Sequence, residues 1–355
     1  MTRRIDSVSI VLPMRDEREH VPQLVASLAA QDYAGPLEII VGDGGSTDGS
    51  AELLVEHARR ANLDLRVIAA DGGDGSTPAN LNRCIRAATG DLVVRMDCHS
   101  VYPPDYVRSC VVASAETGAW NVGGLVEARG RTRTERAVAA AMTSPFGGIG
   151  WTRHGQSAGR VEVDTVTFGA FDPEALRRVG LFDTALKRNQ DDELNLRLRL
   201  AGGRIVLDPA IRVTYTPRSS LRAVFRQYHD YGLWKVPVML KHRRPLTARS
   251  LAPLSLVISA GALGALAPAS AAARALLVLE LGVYGFLAAA FAAAGARRDG
   301  DITLAPRVAA AFVAFHAGYG IGMLRGWLLV GRWRRVIGSG APTSASVASA
   351  ASPGA

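Results

Sequence analysis

The fold is decided by the stretch Val93-Val94-Arg95-Met96-Asp97-Cys98-His99-Ser100. Its β-branched start predicts a buried strand that ends at Asp97, with an imidazole two residues further on. Residues i and i+2 of an extended segment face the same side, so Asp97 and His99 are expected to reach one common point. A carboxylate and an imidazole at the carboxyl end of a strand suit Mn²⁺ or Mg²⁺ bridging a diphosphate. Alternatively, Asp97 only caps a turn and His99 is a surface residue.

Strand-loop-helix units on both sides of this stretch predict the fold class. Further strands are expected at residues 7–12, 37–42, 65–69, 119–126, 163–167 and 204–207. A helical pattern follows each of the first three and also the strand ending at Asp97, which favours a mainly parallel sheet covered by helices. Pro13 is expected to end the first strand, with a helix over residues 15–30, and residues 128–160 are expected to be irregular. The predicted class is α/β, with a Rossmann-like nucleotide-binding sheet.

Two charged loops lie at predicted strand ends, where α/β proteins bind their ligands. They are Pro13-Met14-Arg15-Asp16-Glu17 and Asp43-Gly44-Gly45-Ser46-Thr47-Asp48-Gly49-Ser50. The second is not a dinucleotide fingerprint, because the G-x-G-x-x-G pattern starting at Gly42 fails at Thr47 and the Walker lysine is missing. An acid directly after a strand is instead placed to accept hydrogen bonds from a nucleoside. Alternatively, the first loop only begins a helix whose dipole its two acids complement.

A second acidic cluster begins a predicted helix in the run Asn189-Gln190-Asp191-Asp192-Glu193-Leu194-Asn195-Leu196-Arg197. Three adjacent carboxylates at a helix start can simply be favoured by the helix dipole. The functional interpretation is that one of them works as a general base close to a metal-diphosphate pocket. Both interpretations stay open for this segment alone.

Length and composition predict a globular part followed by a membrane region. The chain has 355 residues, 48% of them hydrophobic, and residues 251–330 are rich in Ala, Leu, Val and Gly. Three apolar runs, at about 250–268, 275–295 and 308–330, are interpreted as membrane spans. Three crossings would place Arg332, Arg334 and Arg335 outside, against the positive-inside tendency. One run could therefore be interfacial or re-entrant.

Charge and the opening sequence indicate a cytoplasmic globular domain. The net charge is +9, and a basic cluster precedes the first apolar run, formed by Lys241, His242, Arg243, Arg244 and Arg249. Such residues tend to stay cytoplasmic and attract anionic headgroups. A signal-peptide core does not follow the first residues. We expect a multi-pass protein of the inner or plasma membrane, and no nucleic-acid partner, because a recognisable binding motif is lacking.

The expected domains are a globular domain at 1–218, an amphipathic interfacial helix with a basic linker at 219–249, a transmembrane region at 250–335 and a disordered tail at 336–355. The helical pattern over residues 221–240 puts aromatic and basic side chains on opposite faces. This arrangement suits the headgroup zone, but equally a core helix of the globular domain. The three cysteines lack metal-site spacing and are expected to be packed thiols.

Four motifs, in order within residues 5–235, resemble the family 2 glycosyltransferases, the inverting, nucleotide-sugar-dependent enzymes with the GT-A fold. They are Pro13-x-Arg15-x-Glu17, Asp43-Gly44-Gly45-Ser46-Thr47-Asp48, Asp97-Cys98-His99 at the D-x-D position, and Gln190-Asp191-Asp192-Glu193-Leu194. Within the family, the chain most resembles the membrane-anchored glucosyltransferases of succinoglycan-type exopolysaccharide assembly. It shares their Arg-x-Asp-x-His signature and a Gln-Tyr-x-x-Tyr-Gly stretch, here Gln227 to Gly232.

The resemblance implies roles for individual residues. The residues around the nucleotide sugar would be Pro13, Arg15, Glu17, Asp43, Asp71, Asn82 and Asp97. The metal would be held by Asp97 and His99, and the catalytic base would be Asp191. His99 departs from the family's second Asp, although imidazole suits Mn²⁺. Gln190 stands where a Glu often precedes the base, and the missing Gln-x-x-Arg-Trp motif of processive synthases implies transfer of a single sugar.

The implied function is transfer of one sugar from a nucleotide sugar, expected to be a UDP-hexose, to a membrane-presented, polyprenyl-diphosphate-linked saccharide. A divalent cation is the expected cofactor. Membrane lipids and a polysaccharide assembly complex are the expected partners. Two alternatives stay open. The acceptor could be a polyprenyl monophosphate, which needs no general base, or the chain could be a catalytically silent membrane scaffold.

Overall fold

A computed structural model describes residues 3–70, 73–147, 159–243 and 250–337. The chain divides into two compact units. The first comprises Met1–Glu127 and Gln156–Tyr215, and the second comprises Ala128–Gly155 and Thr216–Gly338. Three predicted features lie partly or wholly outside the described residues. They are Asp71, residues 244–249 of the basic linker, and residues 338–355 of the predicted tail.

Strands and helices alternate in the first unit, and helices dominate the second. The strands are β1 Val8–Met14, β2 Leu37–Asp43, β3 Leu65–Ala69, β4 Leu92–Arg95, β5 Ser100–Val101, β6 Asn121–Ala128, β7 Val161–Glu162, β8 Ala170–Phe171 and β9 Ile205–Tyr215. The α-helices are α1 Val21–Ala29, α2 Ser50–Arg60, α3 Thr77–Ala87, α4 Tyr106–Thr117, α5 Arg133–Met142, α6 Pro173–Val179, α7 Gln190–Leu200, α8 Leu221–His242, α9 Ala252–Leu266, α10 Ala271–Arg298, α11 Ala305–Leu328 and α12 Val330–Ile337.

The described strands form one sheet in the order β3-β2-β1-β4-β8-β6-β9-β5, with β7 paired to β9. The four strands β3, β2, β1 and β4 are parallel, as the strand-loop-helix pattern predicts. Described pairings beyond β4 are antiparallel. Successive residues of β1 enter two different apolar clusters, Ile10 and Leu12 one and Val11 the other. The sheet is therefore buried on both faces, which confirms the α/β class.

The first strand continues through Pro13, contrary to the sequence-based expectation. Pro13 pairs with Gly42 of β2, whereas the pairing with β4 ends at Val11. A proline without an N–H is tolerated there because only one neighbouring strand remains. The following helix begins at Val21, not at Arg15, and the residues between them form the first charged loop.

Two other local predictions are wrong. Residues 163–167 are not a strand, because the pairing segments on either side are the short β7 and β8. Within the supposedly irregular residues 128–160, helix α5 forms. Its start is a capping box, in which the Thr132 hydroxyl accepts from the Glu135 N–H at 3.2 Å and the Glu135 carboxylate accepts from the Thr132 N–H at 3.0 Å. The Thr-x-x-Glu signature is visible in the sequence.

The prediction of three membrane spans is not supported. In the described part of the chain, two helical segments are long and apolar enough to cross a bilayer, Ala271–Arg298 and Ile302–Leu328. Helix α9 has 15 residues, fewer than the roughly 20 that a crossing needs. The α10 surface exposes large apolar side chains, such as Val278 at 72% and Phe286 at 74%, whereas α11 is about half buried.

Helices α8 and α11 pack closely along a row of glycines. Gly318, Gly322 and Gly326 recur every four residues of α11, so they share one face. A Cβ atom added at Gly322 would lie 2.0 Å from the backbone oxygen of His229. Small residues at this spacing let two helix backbones approach each other. The predicted amphipathic helix is therefore packed within the second unit, and its placement in a headgroup zone stays a prediction.

We expect Gly322→Ala to separate α8 from α11, because the added methyl group meets backbone and not a movable side chain. The free energy of unfolding should fall by about 1–3 kcal/mol, the usual cost of overpacking. Thermal unfolding of the purified protein in detergent measures it. Gly264→Ala in α9 is the matched control, since nothing lies within 4 Å of a Cβ atom added there. Equal stability of the two variants would contradict this account of the helix contact.

Candidate active site

Three neighbouring strands bring the predicted site residues to one edge of the sheet. Strands β2, β1 and β4 are adjacent and parallel, so the loops that follow them emerge at the same edge. These loops carry Arg15 and Glu17 after β1, Asp43 at the end of β2, and Asp97 after β4. Ligands of open α/β sheets bind at this edge.

The loop after β1 is fixed against the loop after β2. Asp16 adopts a left-handed backbone conformation with φ of 52°, and its carboxylate accepts the Thr47 N–H at 2.8 Å. The Glu17 N–H donates to the Ser50 hydroxyl at 2.8 Å. Asn and Asp visit this conformation more readily than most residues, since their short polar side chains can bond locally. The conformation holds Glu17 at the site, and Arg15 stays exposed.

Asp43 is buried and closes its own turn. Its carboxylate accepts the Ser46 hydroxyl at 2.6 Å and also the Ser46 N–H. The next residue, Gly44, approaches the turn before α3 closely, because a Cβ atom there would lie 2.5 Å from the Gly75 backbone oxygen. Two backbone segments thus meet beside Asp43 with no room for a side chain between them.

Asn82 contacts the backbone of the loop that precedes the second acidic cluster. Its amide donates to the Phe182 carbonyl at 2.8 Å and accepts the Phe182 N–H at 2.9 Å. Asn82 is buried on α3, so this pair of bonds ties the α3 helix to residue 182. Its predicted place at the nucleotide stays a prediction, as does that of Asp71.

Asp97 and His99 lie in a turn, not in an extended strand. Strand β4 ends at Arg95, and the Asp97 N–H donates to the Tyr102 hydroxyl at 2.7 Å. His99 is about two-fifths exposed, and its Nδ1 lies 3.6 Å from Oε1 of Glu17. His20 Nε2 lies 3.7 Å from the other oxygen of the same carboxylate. The i, i+2 argument for the pair therefore does not apply, although both side chains belong to the same edge of the sheet.

The donor set near Asp97 fits a cation that is shared with a ligand. One carboxylate and one imidazole are an acceptable pair for Mn²⁺ or Mg²⁺. The described residues contain no group of three or more His, Cys, Asp or Glu that could hold a metal ion alone. The remaining ligands would have to come from a diphosphate and water, as is usual for Mg²⁺. Cys98 is a poor ligand candidate, because its buried Sγ lies against the Pro13 carbonyl at 3.6 Å and thiolates do not suit Mg²⁺ or Mn²⁺.

Arg95 joins the two acidic clusters. Its Nε and Nη2 donate to the two oxygens of Asp97 at 3.1 and 3.2 Å, and its Nη1 donates to Asp191 Oδ1 at 2.5 Å. Burial alone would lower the pKa of the guanidinium, but the charges of Asp191 and Asp97 outweigh it and raise the pKa above its ordinary value. The carboxylates of Asp97 and Asp191 therefore lie on either side of one buried cation.

A buried ion pair holds in place α7, the helix that carries Asp191. Glu193 and Arg197 are both fully buried on α7 and pair at 2.7 Å. Arg197 also donates to three backbone carbonyls at 2.7–2.8 Å, those of Val179, Gly180 and Leu181. The helix begins after Asn189, which is left-handed with φ of 62°. Of the three adjacent acids, Asp191 faces Arg95, Asp192 accepts from the Thr165 hydroxyl at 3.1 Å, and Glu193 is internal.

The structure brings Asp97 and Asp191 together and places Glu17 beside His99. Sequence reasoning missed Arg95 and Phe182, whose ring centroid lies 5.8 Å from the guanidinium carbon of Arg95. The signal for Arg95 was available, because a charged residue inside the apolar run Val93-Val94-Arg95-Met96 needs a buried partner.

Comparison with known proteins agrees with this fold. Residues 9–186 match the family model described as Glycosyl transferase family 2. The chain is 32% identical over 271 residues to the succinoglycan biosynthesis protein ExoA of Rhizobium meliloti (strain 1021), covering 72% of this chain and 78% of that protein.

Two further proteins are similar to the chain. A dolichyl N-acetyl-alpha-D-glucosaminyl phosphate 3-beta-D-2,3-diacetamido-2,3-dideoxy-beta-D-glucuronosyltransferase of Methanococcus voltae is 24% identical over 238 residues, covering 64% of this chain and 72% of that protein. The mannosyltransferase PcManGT of Pyrobaculum calidifontis, solved with GDP-Man and Mn²⁺, superposes with a TM-score of 0.61 at 21% identity, covering 88% of each chain. The second similarity concerns the fold alone.

Proposed function

The chain belongs to glycosyl transferase family 2 and has its GT-A type of fold, and we propose that it transfers a single sugar from a nucleotide sugar to a lipid-linked saccharide with inversion at the anomeric carbon. The donor in this proposal is a UDP-hexose. The acceptor is a polyprenyl-diphosphate-linked saccharide presented at the membrane, and the pathway is exopolysaccharide or cell-surface glycan synthesis.

One observation carries the proposal: Asp97 and Asp191, 94 residues apart in the chain, contact the same buried guanidinium. A sugar transferase needs one acidic group at the diphosphate of the donor and a second at the attacking hydroxyl. The two acidic groups must be no farther apart than the length of one sugar phosphate, because both have to reach the same bound donor at once. The Arg95 contacts support such a separation. The relatives named above are sugar transferases or act in polysaccharide synthesis, which supports the same reaction class.

The proposed step is an in-line displacement. The acceptor oxygen attacks the anomeric carbon, its proton passes to the Asp191 carboxylate, and the bond from that carbon to the diphosphate oxygen breaks. The leaving group is the nucleoside diphosphate, so no side chain becomes glycosylated. The loops after β1 and β2, with Pro13, Arg15, Glu17 and Asp43, are proposed to enclose the nucleoside.

Asp97 and His99 would hold a divalent cation in this proposal, with the donor diphosphate supplying further oxygen ligands. Such a cation, when bound, offsets the charge that develops on the leaving group. Asp97 keeps lone pairs for this purpose, because each carboxylate oxygen can accept more than the single bond that Arg95 donates to it.

The second unit supports a membrane acceptor. The exposed apolar side chains of α10 are unfavourable in water and favourable in lipid. We place the protein at the inner or plasma membrane with the first unit in the cytoplasm, and with two helices as candidate spans. A polysaccharide assembly complex is a further proposed partner.

The function is tested by incubating the membrane-embedded protein with a panel of nucleotide sugars and lipid extract, with and without Mn²⁺. Release of nucleoside diphosphate and labelling of the lipid fraction are measured together. Lipid labelling from one donor is the expected result. Failure of every nucleotide sugar to be hydrolysed or transferred would refute the proposal and favour the silent scaffold.

His99→Ala should weaken the cation-dependent part of donor binding. Loss of one of two proposed protein ligands should raise the Mn²⁺ concentration for half-maximal donor binding by at least about 10–100-fold, the range that loss of an outer-shell partner alone causes. Isothermal titration of nucleotide sugar against Mn²⁺ concentration measures this directly. His57→Ala, on α2 away from the site edge, is the control. An unchanged Mn²⁺ response would remove His99 from the cation site.

A further inference from the structure

Arg95 stands between the two groups that the proposed reaction needs, and it has no assigned role. We propose that Arg95 is a positioning residue for sugar transfer, because its guanidinium holds the Asp191 carboxylate at a fixed place relative to Asp97. The inference rests on the proposed function, in which Asp191 takes the acceptor proton and Asp97 lies at the donor diphosphate. The proposal adds a residue that takes no part in the proton transfer itself. Its role is to set the distance between the carboxylates of Asp97 and Asp191.

Arg95 is immobilised from several directions. Arg95 is the last residue of β4, a strand in the middle of the sheet. Its backbone N–H donates to the Gly169 carbonyl at 3.0 Å. Its side chain is 7% exposed. The Phe182 ring lies against the guanidinium, and Asn82 fixes the Phe182 backbone by two hydrogen bonds. The cation is therefore held by strand, ring and helix before any ligand arrives.

The contacts use the fork of an arginine, not only its charge. Three different nitrogens serve the two carboxylates, Nε and Nη2 for Asp97 and Nη1 for Asp191. A planar guanidinium presents these donors in fixed directions, whereas a lysine ammonium offers one flexible point charge. Either an arginine or a lysine would compensate the charge of the carboxylates. Only the guanidinium can hold two carboxylates at fixed positions relative to each other.

The relative position of the two carboxylates matters because proton transfer depends on the orientation of the group that accepts the proton. The bond from Nη1 to Oδ1 restrains the position of one oxygen of the Asp191 carboxylate, and thereby limits how this group can turn relative to the acceptor. A displacement of about 1 Å at such a group can cost a hundredfold in rate. The expected signature is a loss in kcat, with a smaller change in donor KM.

The test compares Arg95→Lys and Arg95→Ala with the parent protein. We expect kcat to fall by about 100-fold in both, while donor KM changes by no more than a few-fold. In Arg95→Ala, methylguanidinium at tens of millimolar should restore turnover at least about tenfold, because it returns the fork to the vacated space. Urea, which has a similar shape but no charge, should not. Arg199→Lys is the matched control, since Arg199 lies on the same helix as Asp191 but pairs with Asp164 at the surface.

Melting temperatures separate positioning from a purely structural role. If Arg95→Ala does not fold, Arg95→Lys decides, because it retains the buried charge. A Lys variant that melts like the parent and loses turnover supports the proposal. Turnover equal to the parent, or a loss that only parallels a lower melting temperature and that no cation rescues, overturns it. Failure of the parent itself to transfer any sugar sinks the proposed function instead, so the two failures are distinguishable.

Discussion

Asp191→Asn is expected to lose sugar transfer by about 10²–10⁴-fold, the contribution of a positioned general base. The amide keeps the size of the carboxylate, and its oxygen can still accept from Arg95, but it cannot take up the acceptor proton. Donor binding should be nearly unchanged, because the proposed nucleotide contacts lie on other loops. Turnover with lipid acceptor and calorimetric titration of the nucleotide sugar measure the two effects separately.

The adjacent acid provides a control that differs by one position. Asp192→Asn removes a carboxylate that accepts from the Thr165 hydroxyl and leaves Asp191 against Arg95. It should retain most of the turnover. Normal transfer by Asp191→Asn would refute the base assignment. That result would favour a polyprenyl monophosphate acceptor, whose phosphate is already ionised and needs no base.

Arg197→Met is expected to destabilise the first unit by about 3–5 kcal/mol, the cost of leaving one partner of a buried pair without the other. Glu193 would keep its charge in a site with no exposure, and the three carbonyls that Arg197 binds would lose a charged donor. Since whole domains are stable by only about 5–15 kcal/mol, much of the folded population would be lost. Denaturant titration followed by circular dichroism measures the change.

Two companion variants make this prediction specific. Arg199→Met breaks an exposed pair with Asp164 on the same helix and should cost no more than about 1 kcal/mol. The double variant Glu193→Met/Arg197→Met removes both buried charges, and it should regain part of the stability that Arg197→Met loses. A single variant as stable as Arg199→Met would show that the buried pair does not hold α7.

The parallel half of the sheet could be predicted from the sequence because each strand there is a short run of mostly apolar residues followed by a helical pattern. The antiparallel half could be predicted only in part. Strands were expected at residues 119–126 and 204–207, where β6 lies and β9 begins, but the short strands β5, β7 and β8 were not foreseen. Strands β7 and β8 have two residues each, and such segments are defined by their partners, not by a local pattern. Helix α5 was lost among arginines and threonines, although its capping box was visible.

The site was predictable in its membership and less so in its geometry. Asp97, His99 and Asp191 were all named from motifs. In the structure the two aspartates contact the same guanidinium, that of Arg95. The turn at Cys98 and His99 was foreseen only as the alternative, because the main interpretation extended strand alternation to His99, four residues beyond the last residue of β4. Arg95 was overlooked, since a basic residue in a strand was treated as part of a signature and not as the partner of both acids.

The interruption of the first unit by residues 128–155 bears on how the polypeptide matures. Helix α5 buries Ala137, Val138 and Ala141 against side chains of α10 and α11 that are synthesised more than a hundred residues later. At about 5–20 residues per second, its apolar side stays uncovered for roughly 10 s or longer during translation. Expression of residues 1–218 alone would make this delay permanent. Such a truncated product should aggregate or bind chaperones, because it contains helix α5 of the second unit without the later helices that cover the apolar side chains of α5.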